Sequence, residues 1–170
     1  MTSVLLPSIN SGGMTLLSTT TLSGTITTIS SIDQSYKDLA ILVSGAVFSD
    51  GASIIYIQPN GSGTTSWLGR GQDDQGTGSA PASGSYPQST STGMKHTGGE
   101  NTLFCLVRNY ASASYNKALE FYGGGITAAS IAAVVGGGFL RTSSAVTSVA
   151  VTTANSRTFS AGQVLIYGVR

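Results

Sequence analysis

The sequence predicts an all-β protein: a two-sheet antiparallel β-sandwich, jelly-roll-like, with an N-terminal arm and one long irregular loop. Three observations carry that expectation. Short apolar runs rich in Val, Ile, Thr, Tyr and Phe are punctuated by Gly, Asp-Gly and Asn-Gly, the residues that turn a chain between strands. The last stretch, residues 158–170, is apolar on both faces when extended, with Val164, Ile166 and Gly168 on one side and Leu165, Tyr167 and Val169 on the other. Such a strand is central and covered on both sides, or covered on one side by a neighbouring subunit. It should pair with strands laid down much earlier, so that the chain ends meet in one sheet. Finally, only 9% of residues are charged while 40% are hydrophobic, and mean hydropathy is +0.18, which is the opposite of a disordered composition.

The elements follow in order. Residues 1–13 read as an arm, in which Val4, Leu5 and Leu6 are stopped by Pro7 and Ser11-Gly12-Gly13 makes a joint. An apolar patch on a tether needs a place to dock, either as a folded-back edge strand or on a neighbouring subunit. From Met14, the apolar positions Leu16, Leu17, Leu22, Ile26, Ile29 and Ile32 suit two short strands around Ser23-Gly24. Residues 39–48 and 52–58 flank Ser49-Asp50-Gly51, a hairpin signal, and a second turn is expected at Asn60-Gly61.

Residues 59–100 form the expected long loop, rich in Gly, Ser and Thr. It holds three of the four prolines, the single tryptophan Trp67, the single histidine His96 and the pair Asp73-Asp74. Regular structure resumes over 101–110, 117–122, 126–135 and 145–153, separated by the glycine clusters 123–125 and 136–138. The whole of 14–170 is read as one domain of about eight or nine strands.

Composition and motif content narrow the function. The net charge is +1 and the eight Lys and Arg are scattered, so no row of cations is available for a phosphate backbone and nucleic acid is not an expected partner. The apolar runs are too short for a membrane span, and no basic residue precedes the patch at Val4, so a soluble protein made in the cytoplasm is expected. Cys105 lies within Leu103-Phe104-Cys105-Leu106-Val107 and reads as a buried thiol. No catalytic constellation is expected: His96 has no Gly-x-Ser-x-Gly partner, and nothing places Glu100 and Glu120 in one cleft. Asp73-Asp74-Gln75 lacks a third spaced carboxylate for calcium, and no Cys/His set suits zinc, so neither metal nor cofactor is expected. Asn60-Gly61-Ser62 matches a glycosylation sequon but reads as a turn. With so few charges a lone copy would tend to associate, which points to a subunit of an assembly.

Four segments, Met14-Thr15-Leu16-Leu17-Ser18-Thr19-Thr20-Thr21-Leu22-Ser23-Gly24, Tyr36-Lys37-Asp38-Leu39, Val107-Arg108-Asn109-Tyr110-Ala111 and Thr158-Phe159-Ser160-Ala161-Gly162 with Leu165-Ile166-Tyr167-Gly168, resemble small virion structural proteins of tailed bacteriophages. The resemblance covers roughly 14–57 and 101–170 and leaves out the long loop. It implies a β-sandwich that trimerises and serves as a capsid decoration or cement protein, a head fibre or a tail-fibre module, without catalytic residues. The expectation is a homotrimer that binds the major capsid protein on the virion surface after synthesis in the host cytoplasm. Val4, Leu5 and Leu6 would dock, and Trp67 and Tyr86 would anchor the long loop, because buried aromatics dominate interfaces. The alternative is a fibre recognition module in which Trp67, Tyr86 and Asp73-Asp74 contact a host surface carbohydrate; a depolymerase fragment is a third, weaker reading.

Overall fold

The computed structural model describes residues 13–49, 53–61, 65–73, 82–84, 101–126, 131–154 and 156–170. These form eleven strands: β1 (Met14–Thr21), β2 (Ile26–Ile29), β3 (Asp38–Phe48), β4 (Ile55–Pro59), β5 (Thr65–Asp73), β6 (Ala82–Gly84), β7 (Asn101–Val107), β8 (Lys117–Ile126), β9 (Ile131–Leu140), β10 (Val149–Thr153) and β11 (Phe159–Val169). They make two antiparallel sheets, one of eight strands in the order β1-β11-β3-β7-β8-β9-β5-β6 and one of three in the order β2-β10-β4. The two-sheet all-β architecture expected from the sequence is the one observed.

The winding follows from which strands alternate and where they cross. A jelly roll places its first, last, third and sixth strands in one sheet and its second, seventh, fourth and fifth in the other. Here β1, β11, β3 and β7 occupy the first set and β2, β10 and β4 three places of the second. Strands β8, β9, β5 and β6 then extend the large sheet beyond β7. Terminal β11 pairs with β1 on one side and β3 on the other, so the ends of the described chain do meet in one sheet.

Period-two alternation fills the space between the sheets. Leu39, Ile41 and Val43 of β3, Leu103, Cys105 and Val107 of β7, and Val164 and Ile166 of β11 are all fully buried. They pack in one cluster with Ile55 and Ile57 of β4, Val149 and Val151 of β10, and Ile29 of β2. Burying that many branched side chains between two sheets is the main stabilising term, at roughly 1.5–3 kcal/mol each before conformational entropy is subtracted.

Four sequence expectations are corrected. First, Ser49-Asp50-Gly51 does not close a hairpin within one sheet: β3 lies in the large sheet and β4 in the small one, so the chain changes sheets there, and residues 50–52 lie outside the described residues. Second, the glycine clusters 123–125 and 136–138 lie inside β8 and β9 rather than between strands. Glycine is required at 123 by close approach, because a Cβ there would sit 2.6 Å from the Thr102 carbonyl oxygen. Third, 59–100 is not irregular throughout, since β5 pairs along nine positions with β9 and β6 pairs with β5. Fourth, the strand expected over 145–153 begins only at Val149; residues 141–148 run as an irregular segment.

That segment is held by side chains rather than by a ladder. The Lys117 ammonium donates to the carbonyls of Tyr115 (2.9 Å), Thr142 (3.2 Å) and Ser143 (2.8 Å). Asn60 donates through Nδ2 to the Ala145 carbonyl at 2.9 Å and accepts at Oδ1 from the amides of Thr147 and Ser148. Gln34 donates to the Val146 carbonyl at 3.0 Å, and the Val146 amide donates to Tyr110. Val146 is thereby fully buried as a plug in the core.

Candidate assembly surface

The small sheet covers only one face of the large one, and the other face carries an apolar row. On β7, Leu103, Cys105 and Val107 point inward, so Phe104 and Leu106 point out; on β8, Leu119 and Phe121 point inward, so Ala118, Glu120 and Tyr122 point out. On β9, inward Val134 and Leu140 leave Val135 and Phe139 outside. The registers then align Leu165, Leu42, Phe104, Tyr122 and Val135 into a single row running across five strands. The flanking row on one side holds Tyr167, Ala40, Leu106 and Glu120, and the outward positions on the other side are Gln163, Ser44, Thr102, Gly124 and Ala133.

This face carries large side chains that the described chain leaves in water: Tyr122 is 58% exposed, Val135 63% and Phe139 57%. Phe104 and Tyr122 stack with centroids 4.9 Å apart and ring planes inclined by 27°. Contiguous apolar surface of this kind marks an interaction site more often than a lone exposed Leu does.

Among the described side chains, the charges on this face are Arg108, Asp38 and Glu120, and Glu120 lies within it, in register with Leu106 and Gly137. Arg108, just beyond β7, donates from Nη1 to the Asp38 carboxylate at 3.0 Å, while its Nη2 lies 3.6 Å from Glu120. The Asn109 amide also donates to Asp38 at 2.8 Å. The hydrogen bond that Arg108 donates to Asp38 is the main cause that holds its guanidinium above its ordinary pKa. Glu120 therefore stands in an ion-pair chain with Asp38, and the two carboxylates share a guanidinium, which is not the free facing pair of a glycosidase.

A second feature lies at the open edge of the sandwich, where β1 and β2 are the outermost strands of their sheets. A cleft of about 340 Å³ there is lined by Leu16, Leu17, Ile29, Ile32 and Ile166, with Ser18, Ser30, Ser31 and Asp33. Its origin is local: the β1–β11 register slips between Leu16 and Ser18, and the bulge opens the edge. The Ser18 hydroxyl is buried there without a hydrogen-bond partner among the described residues.

The sequence-predicted site residues are scattered. Val4, Leu5, Leu6 and Tyr86 lie outside the described residues, as do His96 and Glu100. Trp67 is on β5, in register with Gly84 of β6 and Gly138 of β9. Cys105 is buried, and desolvation pushes its thiol up to about 12, so it stays protonated at neutral pH. Asn60 spends its amide on the 141–148 segment, which leaves the sequon without a free acceptor in the folded chain. Among the described residues no group of three or more His, Cys, Asp or Glu could hold a metal ion.

The outer-face residues Phe104, Tyr122, Val135 and Phe139 were not singled out by sequence reasoning. The signal was present as alternation in 117–122, but glycine clusters read as turns hid that β8 and β9 continue and stand side by side. Compared with known proteins, the chain matches no family model, no curated protein and no solved structure.

Proposed function

We propose that this chain is a structural protein of a tailed-bacteriophage virion, a capsid decoration or cement subunit that assembles as a homotrimer, binds the major capsid protein and stabilises the shell. The observation that carries the reading is the apolar row on the outer face of the large sheet in a chain that is only 9% charged. A surface of that kind suits permanent packing, whose contacts are more apolar than those of transient encounters. The jelly-roll winding and the resemblance of 14–57 and 101–170 to phage structural proteins supply the setting. The action is mass action: a subunit that binds only the expanded shell stabilises that state by RT ln(1 + [L]/Kd), and linked copies add avidity. Val4, Leu5 and Leu6 are assigned to docking, and Trp67 and Tyr86 to anchoring contacts.

Antibody labelling of intact particles tests this. Label over the whole head is the expected result; label confined to the tail tip or to sparse points on the head overturns it. A second reading, a fibre module that binds a host surface carbohydrate, is favoured by the cleft at the open edge, whose volume of about 340 Å³ and polar lining of Ser18, Ser30, Ser31 and Asp33 suit a small sugar. Saturable binding in a glycan screen, lost on filling the cleft with Ser18→Leu, would select that reading.

A further inference from the structure

Among the six asparagines of the chain, Asn60 alone is followed by glycine. We infer that Asn60-Gly61 is a site of spontaneous deamidation that the fold holds closed, and that its conversion unlatches residues 141–148. The chemistry needs no reagent but water. The Gly61 backbone nitrogen attacks Cγ of Asn60; a C–N bond forms, the Cγ–Nδ2 bond breaks, and the proton given up by the Gly61 nitrogen leaves with Nδ2 as ammonia. Water then opens the cyclic imide at either carbonyl, which puts aspartate or isoaspartate at position 60. Glycine in the second place presents no Cβ to obstruct the attack.

Both nitrogens that change in this reaction are engaged in the folded chain. The one that leaves, Nδ2, donates to the Ala145 carbonyl at 2.9 Å. The one that attacks, the Gly61 amide, donates to the Gln58 carbonyl at 3.1 Å. A peptide nitrogen becomes a nucleophile only when it gives up its proton, and that hydrogen bond holds the proton in place. The Asn60 side chain is also fixed at Oδ1, which accepts from the amides of Thr147 (2.9 Å) and Ser148 (3.3 Å). Imide formation must at least break the two bonds of the reacting nitrogens. Each net bond is worth a factor of about five in population, so the reactive form is depleted about twenty-fivefold and conversion waits on local opening.

The product does not restore the latch. A carboxylate at position 60 can still accept from the amides of Thr147 and Ser148, but it has no N–H for Ala145 and sets an anionic oxygen against that carbonyl. Isoaspartate also lengthens the main chain by one carbon, beside the bond of 2.8 Å that the Asn60 amide donates to the Ser148 carbonyl. Residues 141–148 are then left to the ties from Lys117 and Gln34. This inference goes beyond the capsid reading and does not depend on it.

Peptide mapping by mass spectrometry of the unaltered full chain, aged at mildly alkaline pH with and without urea, tests the closed site. In urea, position 60 should convert fastest of the six asparagines; in the folded protein it should convert at least about twentyfold more slowly. Equal rates overturn the inference, and so does a faster asparagine elsewhere in urea. Lys117→Met, which loosens 141–148 without removing an Asn60 contact, should speed conversion in the folded protein and leave the rate in urea unchanged. Equal acceleration by Cys105→Ala, a core change outside the segment, would mean that global unfolding governs the reaction and would overturn the latch.

The consequence of conversion is read separately with Asn60→Asp. Arg141, exposed at the start of the segment, is a trypsin site. Limited cleavage after Arg141 should be at least about fivefold faster in Asn60→Asp than in wild type, the factor expected for one lost bond. Cleavage at the wild-type rate overturns the unlatching.

Discussion

Replacing Lys117 by Met tests whether a buried charge stabilises this fold or burdens it. Lys117 is fully buried, and its three N–H donors are used by three carbonyls, those of Tyr115, Thr142 and Ser143. Burial without a carboxylate disfavours the charged form, and desolvation accordingly lowers its pKa from 10.5. Met matches the length but leaves three acceptors without that donor. An orphaned buried acceptor costs about 1–3 kcal/mol, and relief of the desolvated charge returns part of the total. The net destabilisation is therefore roughly 2–4 kcal/mol, or a fall in Tm of roughly 5–15 °C for a chain of this size. Urea unfolding of both proteins at pH 7 measures it.

The pH dependence supplies a second readout. Because the folded pKa lies below the unfolded one, the Lys117 contribution to stability is fully present above pH 10.5 and is lost as pH falls through the folded value. The gap between wild type and Lys117→Met should therefore widen as pH rises through that window. A variant within 0.5 kcal/mol of wild type, or more stable, would refute the reasoning, since the carbonyl cage would then return less than desolvation costs.

Gly168→Ala should cost about 1–3 kcal/mol, because its Cβ would lie 2.3 Å from the Tyr36 ring that rests on Gly168; in a Tyr36→Ala background the cost should vanish, and an undiminished cost would exclude the ring as its cause. Cys105, with its pKa raised from 9.0 to about 12, contributes stability that is fully present below pH 9 and lost as pH rises through about 12. Wild type should accordingly weaken relative to Cys105→Ala across that range, and the native thiol should not react with a disulfide reagent at pH 8. Asn60→Gly keeps the positive φ that Asn60 adopts but loses its tethers, so it should cost about 2–3 kcal/mol, and Asn60→Ala about 1 kcal/mol more. Equal stabilities by chemical unfolding would show that backbone strain at this position is negligible.

Much of the architecture is legible in the sequence because strands announce themselves locally. Alternation in 39–48, 101–107 and 158–169 sets one apolar face against a second sheet, and two-sided apolar character placed β11 in a sheet interior, where it lies between β1 and β3. The turn at Asn60-Gly61 was equally local: Asn60 adopts φ 54° and the Gly61 amide donates to the Gln58 carbonyl. Scarcity of charge and a buried Cys105 needed only composition and neighbours.

Residues distant in sequence decided the rest. Asp-Gly at 50–51 marks a turn whether the chain returns in the same sheet or crosses to the other; here both edges of β3 are taken, by β11 and β7, and β4 lies in the small sheet. Glycine clusters signal a loop or a strand pressed against a neighbour with equal force, and the Thr102 carbonyl beside Gly123 makes them strand. The irregular path of 141–148 is stable because Lys117, Asn60 and Gln34, from three separate elements, hydrogen-bond its backbone. The apolar row from Leu165 to Val135 likewise belongs to no one segment: local alternation determined that each residue faces out, and the register of five strands determined that they form one surface.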